Sequence, residues 1–508
     1  MPVRPFSREQ IWFLPPRLDD LLPDDHTARY VAEFVDSLDS SEWQKLGIGL
    51  NGELLGAPEY HPRMLLSVWL YGFMTRTRSS RKLEAACRDQ ISYLWLTGLQ
   101  HPDHNTLWRF YKEHRDQMRH LFKYSIKVAI NLNLIDLAIQ AVDGTKVAAN
   151  ASKDRTYDAK GLQRLLARTE EAIGDLENQN EVSNDPPPPR LPEQLKQAEQ
   201  LRTEIKAAME RLAGEDLKRI NLTDGDANLM KGRQGMVSGY NVQAMVSPLK
   251  TTETQPTTGM IITAVDAVQD PVDTNQLTPL MEQAEENTDT KADETLADAG
   301  YHSGANLADC VERKQVVIMP ESQDRALKNP YHKDRFSYNP ETDTFTCPEG
   351  QTLRYVRAKH VKHNLIRIYH SSGAICRPCK AFGKCTTCSH HGRELQIRPD
   401  DGLLKQHRAW MATEEAKSIY TRRKELVEPA FGIVKEQMGF RQFLLRGLRN
   451  VRAEASLIAT AFNLRTLHHV WRVQLTKERA LLVSALQRIE QKIFANFAFM
   501  GFKRAEVL

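Results

Sequence analysis

Two short apolar runs in this chain each close on an aspartate. LAIQAVDGT reaches Asp143 with Gly144 behind it, and TLADAGYHS reaches Asp298 with a glycine turn behind it. Runs of this length and composition read as strands. A carboxylate at the end of a buried strand sits at a sheet edge, where metal or substrate can reach it. GYNVQAMVS and GMIITAVDAV are further β-rich runs, joined across TTETQPTTG as a hairpin. TNQLTPLMEQAEENT then reads as a helix and RKQVVIMPE as another strand. The order β–insert–β–β–α–β–α–β predicts an α/β fold, a mixed sheet flanked by helices.

Other elements attach to that sheet. Residues 1–130 mix apolar residues at helical spacing with Arg76, Arg78, Arg81, Trp108 and Arg109, as a small DNA-binding helical domain would; Asn105 or Thr106 is placed to cap a helix. The body of the chain is expected over 131–475, with an insert at 155–220 and a Cys-rich module at 340–395; 476–508 reads as a last helix and tail. In the insert, Leu162, Leu165, Leu166, Ile173 and Leu176 share one helical face, and Leu195, Leu201, Ile205, Met209 and Leu212 another. The four prolines of NDPPPPRLP between them forbid helix, so two antiparallel helices joined by a loop are expected. The module, with CPEGQTL and CRPCKAFGKCTTC among Gly, Pro and basic residues, reads as loop-rich.

A chain of 508 residues has room for several cores. It shows no apolar leader at its start and no run approaching a membrane span, so a cytoplasmic, nucleoid-associated protein without a membrane partner is expected. Residues 401–508 carry 19 Lys/Arg against 10 Asp/Glu. That excess suits a polyanionic partner or, equally, a solvated helix surface.

Asp143 and Asp298 lie 155 residues apart, and Glu428 follows Asp298 by 130; only a fold could join them. Converging carboxylates hold hard divalent ions such as Mg²⁺ or Mn²⁺, and two such ions can serve the attacking and leaving oxygens of a phosphodiester. At AVDGTKV, LADAGYHS and YTRRKELVEPAFGIVKEQMGFRQF the sequence resembles bacterial insertion-sequence DDE transposases with an RNase H-like catalytic domain. YHPRMLLSVWLYGF and PDHNTLWRFY resemble the helical domain that precedes it. The resemblance implies Asp143, Asp298 and Glu428 as catalytic, metal-binding carboxylates, with two Mg²⁺ or Mn²⁺ ions. It implies cleavage and strand transfer at the ends of a mobile element, double-stranded DNA as partner, and at least a homodimer on DNA.

The family pattern Tyr-x2-Arg-x3-Glu-x6-Lys is met at Glu428 and Lys435, whereas Lys424 and Thr421 stand where Arg and Tyr are expected. Tyr420 and Arg423 each come one residue early. Glu425 competes for the third carboxylate. Lys435, Arg423, Lys424 and Arg441 are the expected DNA contacts.

Asp224 and Asp226 read as capping or turn residues, and Tyr240, Asn241 and Gln243 as core-strand residues. Cys376-x2-Cys379 and Cys385-x2-Cys388 have zinc-ligand spacing, with Cys347, His390 and His391 in reserve. A structural zinc and a reduced, packed cluster are both compatible with it. The competing functions are an RNase H-like nuclease without strand transfer and a non-catalytic DNA-binding descendant of a transposase.

Overall fold

The computed structural model describes residues 17–50, 59–181, 193–232, 235–251, 258–322, 328–361 and 364–499. The proline-rich loop, the tip of the first hairpin and both chain ends lie outside these residues. Seven helices come first: α1 (Thr27–Asp36), α2 (Ser40–Lys45), α3 (Pro62–Met74), α4 (Ser80–Asp89), α5 (Ile91–Thr97), α6 (His104–His114) and α7 (Arg119–Asn131). Their formation is local. In α1, Ala28, Val31, Phe34 and Val35 recur at helical spacing and are buried. In α3, Pro62 takes the first turn and every residue from Leu65 to Met74 is buried, so this helix is enclosed on all sides. The cap of α6 is Asp103, whose carboxylate accepts the Thr106 N–H at 2.7 Å; it stands two residues before the earlier of the expected caps.

The central sheet follows. Its strands are β1 (Ile139–Ala148), β4 (Asn228–Gly232), β5 (Gly235–Pro248), β6 (Met260–Val268), β7 (Glu294–Leu296) and β8 (Val316–Ile318). The small pair β2 (Thr156–Tyr157) and β3 (Ile220–Asn221) closes the base of the insert. β1 runs antiparallel to β5 and parallel to β7; β6 pairs with β5 and β8 with β7. Three antiparallel strands continued by two parallel ones make this the expected RNase H-like sheet. β4 extends the β5 edge.

The insert is the pair α8 (Ala159–Glu181) and α9 (Glu193–Gly214). Leu162, Leu165 and Leu166 meet Leu201, Ile205 and Ala208 there, one cluster separate from the main core. On one side of the sheet lie α10 (Leu277–Thr288) and α11 (Gly304–Glu312), packed on Val142, Met245 and Ala264. The other side shares a core with α1–α7 and the last helix. Beyond α11 a five-stranded antiparallel sheet forms from β9 (Ser337–Asn339), β10 (Thr344–Thr346), β11 (Thr352–Val361), β12 (Asn364–His370) and β13 (Glu394–Ile397). This differs from a loop-rich module. Of the ten residues of β11 only Leu353 is buried, so apolar patterning gives almost no sign of a strand.

After the short α12 (Gly373–Cys376) come α13 (Asp401–Met411), α14 (Glu414–Gly432) and α15 (Leu448–Phe499). α15 runs across β6 and α7. Its buried Asn463 accepts the Ile262 N–H at 2.9 Å and donates to the Ile262 carbonyl at 3.0 Å, which ties the helix to the sheet. Asp224 accepts the Gly447 N–H and Asp226 the Leu448 N–H at its start, the capping role expected of them. No helix of the described residues is long and apolar enough to cross a membrane.

Candidate active site

The sheet register brings the two aspartates together. Ala141 of β1 faces Leu296 of β7 in a parallel pair. Asp143 and Asp298 each come two residues later, so they stand at one level just past the β1–β7 pairing; β1 itself continues to Ala148 along β5, so Asp143 lies mid-strand and not at the strand end expected of it. α14 covers that edge with Leu426, Val427 and Ala430, of which Leu426 and Val427 pack on Ile139, Ala141, Leu296 and Ile318. Arg423 precedes them on the same helical face and is 8% exposed. Its Nη2 lies 3.1 Å from Asp143 Oδ1 and 3.9 Å from Asp298 Oδ2. Arg423, expected as a DNA contact, is thus the counter-cation of the aspartate pair. Its Nε and Nη2 are buried and meet no hydrogen-bond acceptor in suitable geometry. Charge, not hydrogen bonding, holds it there.

A third carboxylate joins the pair, and it is Asp273. It accepts Asn241 Nδ2 and Gln243 Nε2, each at 2.6 Å, and pairs with Lys146 Nζ at 3.2 Å. The β1–β5 register explains this: Gly144 faces Gln243 and Lys146 faces Asn241. Two glycines make the space. A Cβ on Gly144 would run into Gln243 Nε2 and lie 2.7 Å from Asp273 Oδ1, and one on Gly300 would lie 2.9 Å from Asp298 Oδ1. Tyr301, fully buried, donates its hydroxyl to Gln243 Oε1. The residues of Asp298-Ala299-Gly300-Tyr301 therefore divide the work: carboxylate, room for that carboxylate beside Gly300, and an anchor for the amide that holds Asp273.

Burial pushes the Asp143 carboxyl up to about 6; Arg423 opposes the rise, while Asp298 and Asp273 add to it. Burial also raises the Tyr301 phenol far above its usual range, and the half-buried Tyr420 phenol in the same sense.

The other expected site residues fall differently. Glu428 is exposed on α14, as is Glu425. The fold does not gather Glu428 with the two aspartates: among the described residues no three His, Cys, Asp or Glu groups form a ready metal site. A π-helical turn, Ile433–Gln437, carries Lys435 onto β1, where its Nζ donates to Thr145 Oγ1. Lys424 and Arg441 are exposed, and Arg441 pairs with Glu436 at 2.5 Å. Asn241 and Gln243 are core residues, as expected, and also the clamp on Asp273. Sequence reasoning passed over Asp273. Its available signal was two wholly polar residues, Asn241 and Gln243, on one face of an otherwise apolar strand.

Two family models match the chain. One, described as a transposase DDE domain, covers residues 346–468, which include α14 with Arg423 and Glu428. The other, described as a transposase domain (DUF772), covers residues 16–113 of the helical region. Together the two matches support an insertion-sequence DDE transposase. The two aspartates lie between the matched stretches, and packing of Leu426 and Val427 on the strands that carry them connects them to α14. Both descriptions imply a DNA substrate. No curated protein matches this chain.

Of the cysteines expected at a zinc site, Cys376, Cys379 and Cys385 line one small cavity together with Cys347. Cys388 is exposed and outside it. Burial raises the Cys385 thiol, with Cys347, Cys376 and Cys379 adding to the effect, whereas backbone N–H groups of His391 and His390 lower that of Cys388.

Proposed function

We propose that this transposase cuts DNA at the ends of an insertion sequence and joins the freed 3′-hydroxyl to target DNA. Asp143, Asp298 and Glu428 are its metal-binding carboxylates. One observation carries the reading: two aspartates, Asp143 within β1 and Asp298 just past β7, levelled by parallel pairing, already share one cationic group. Their hard oxygen donors fit Mg²⁺ or Mn²⁺, and the guanidinium nitrogen between them stands where positive charge is wanted. When bound, two such ions supply Lewis-acid stabilisation to the attacking and leaving oxygens.

The chain's own residues do the rest. Asp143 and Asp298 hold the charge centre at the sheet edge. Arg423 balances their charge, and Glu428, exposed on the same helix, would be the third residue to hold the ions. Asp273, clamped by Asn241, Gln243 and Lys146, keeps β5 locked to β1 behind the aspartates. Lys435, Lys424 and Arg441 meet DNA phosphates, giving salt-sensitive binding. The N-terminal helices α1–α7 grip the element ends, and two copies pair two ends.

The test is cleavage of supercoiled plasmid carrying the element ends in Mg²⁺. Wild type is expected to give 3′-hydroxyl ends joined to new DNA, while Asp143→Ala, Asp298→Ala and Glu428→Ala bind without cutting. Cutting without joining identifies a nuclease. Binding without cutting by wild type, with any divalent ion, identifies a non-catalytic descendant. Glu428→Ala cutting as well as wild type removes Glu428 from the site.

A further inference from the structure

Away from the carboxylates, the antiparallel sheet β9–β13 carries a long excursion, residues 371–393, between β12 and β13. Its only helix is the four-residue α12. The buried apolar core beneath it is five side chains: Phe336, Phe345, Leu353, Tyr369 and Leu395. A core of that size does not by itself hold an irregular loop of this length. The loop is nevertheless closely folded. A Cβ on Gly392 would lie 2.9 Å from Cys376 Sγ and 2.8 Å from the Ser372 carbonyl oxygen, and one on Gly373 would run into the backbone of Ser389 and His390.

At its centre is a cavity of about 20 Å³, a space of single-atom scale. Cys347, Cys376, Cys379 and Cys385 line it, and none of the chain's cysteines is in a disulfide. Two buried polar atoms on its wall, Ser371 Oγ and Arg393 Nε, have no hydrogen-bond partner. Arg393 is fixed there by donating to the Cys385 carbonyl at 3.0 Å and to the Tyr331 carbonyl at 3.1 Å. The Gln351 N–H points at Cys347 Sγ at 3.3 Å.

We propose that this cavity is a tetrathiolate zinc site whose ligands are Cys347, Cys376, Cys379 and Cys385. Cys388 is not a ligand, although its spacing from Cys385 suggests a second Cys-x2-Cys pair. As the chain stands the sulfurs surround the cavity without forming a finished site; the ion supplies the closure that the small core lacks. Four thiolates around one Zn²⁺ leave a net charge of about −2. The Arg393 guanidinium and the Gln351 N–H are the groups on hand to balance it, which gives the unpartnered Arg393 Nε a purpose. Binding converts four thiols to thiolates and releases their protons to solvent; no electron is exchanged. The ion is structural: all four positions are protein sulfur, so none is left for water or substrate. It pins the base of the β11–β12 hairpin to the loop.

The experiment is zinc and thiol quantification on the full-length protein purified under reducing conditions, for wild type and single Cys→Ser variants. About one zinc per chain is expected for wild type and Cys388→Ser, with loss of most of it in Cys347→Ser. Cys347 also packs against the small core, so wild type is also loaded with Co²⁺ and alkylated with N-ethylmaleimide. The expected signs are a tetrahedral thiolate absorption and protection of Cys347, Cys376, Cys379 and Cys385 but not Cys388, with protection lost on chelation. Zinc-free protein without a Co²⁺–thiolate band overturns the proposal. So does zinc lost in Cys388→Ser and kept in Cys347→Ser, or disulfides in place of the four thiols. None of these results bears on the carboxylate site.

Discussion

Arg423→Gln is the perturbation that tests the active-site electrostatics most directly. At 3.1 Å and 3.9 Å from the two aspartates, one guanidinium charge is worth gross energies of ~5 and ~4 kcal/mol in an effective dielectric of about 20. Its own desolvation offsets much of that, and breaking a buried pair costs ~3–5 kcal/mol net. Asp143 limits the loss. It titrates at about 6 in the folded chain against an ordinary 3.8. A carboxyl raised in this way favours folding fully below about 3.8, and that advantage is lost as pH rises through about 6. At neutral pH the ionised Asp143 is therefore already disfavoured by ~3 kcal/mol.

Without Arg423 the Asp143 carboxyl rises further and takes a proton as pH falls. In EDTA, Arg423→Gln is expected to melt on the order of 5–10 °C below wild type at pH 8. The deficit should shrink to about half or less at pH 5.5, where a neutral Asp143 no longer needs the cation. Mg²⁺ or Mn²⁺, freed from competition with the guanidinium, should bind about tenfold tighter or better, a change of ~1.4 kcal/mol or more. Thermal melts at the two pH values and titration calorimetry with Mn²⁺ make the comparison. An equal deficit at both pH values, or weaker Mn²⁺ binding in the variant, refutes the counter-cation account.

Three further outcomes follow from the surroundings of the pair. Asp273→Asn strips the charge that faces Lys146 and leaves Asn241 and Gln243 against an amide; plasmid cleavage should fall about tenfold or more while end binding in a gel shift persists, a loss of ~1.4 kcal/mol or more, and unchanged cleavage removes Asp273 from the site. Gly144→Ala drives a methyl into Gln243 and Asp273; calorimetric melting should show ~1–3 kcal/mol of destabilisation, and a neutral result means β5 gives way. Tyr301→Phe removes the hydroxyl that donates to Gln243 and should cost ~1 kcal/mol, read from the same melts, with a smaller loss of cleavage than Asp273→Asn.

The sequence by itself determined what is local. The strand leading to Asp298, the enclosed α3, the helix pair α8 and α9, and the turn-forming Asp224 and Asp226 all follow from apolar period, chain direction and short-range hydrogen bonding, which act over a few residues; the strand through Asp143 runs five residues past its expected end because pairing with β5 carries it on to Ala148. Tertiary structure decided which distant groups meet. Parallel pairing of β1 with β7 levels the two aspartates, and no property of either segment specifies that register. Asp273 joins them because Gly144 faces Gln243 across two strands, so the motif is legible only in pairs of elements. Arg423 reads as one of several basic helix residues until α14 lays its buried face on β1. β11 hides as a strand because it buries one side chain in ten. Among the cysteines, spacing favours Cys388, whereas the fold of the loop delivers Cys347, 29 residues upstream of Cys376, to the cavity. Backbone preference is written residue by residue; charge, burial and ligation depend on what the packed chain brings within a few ångströms.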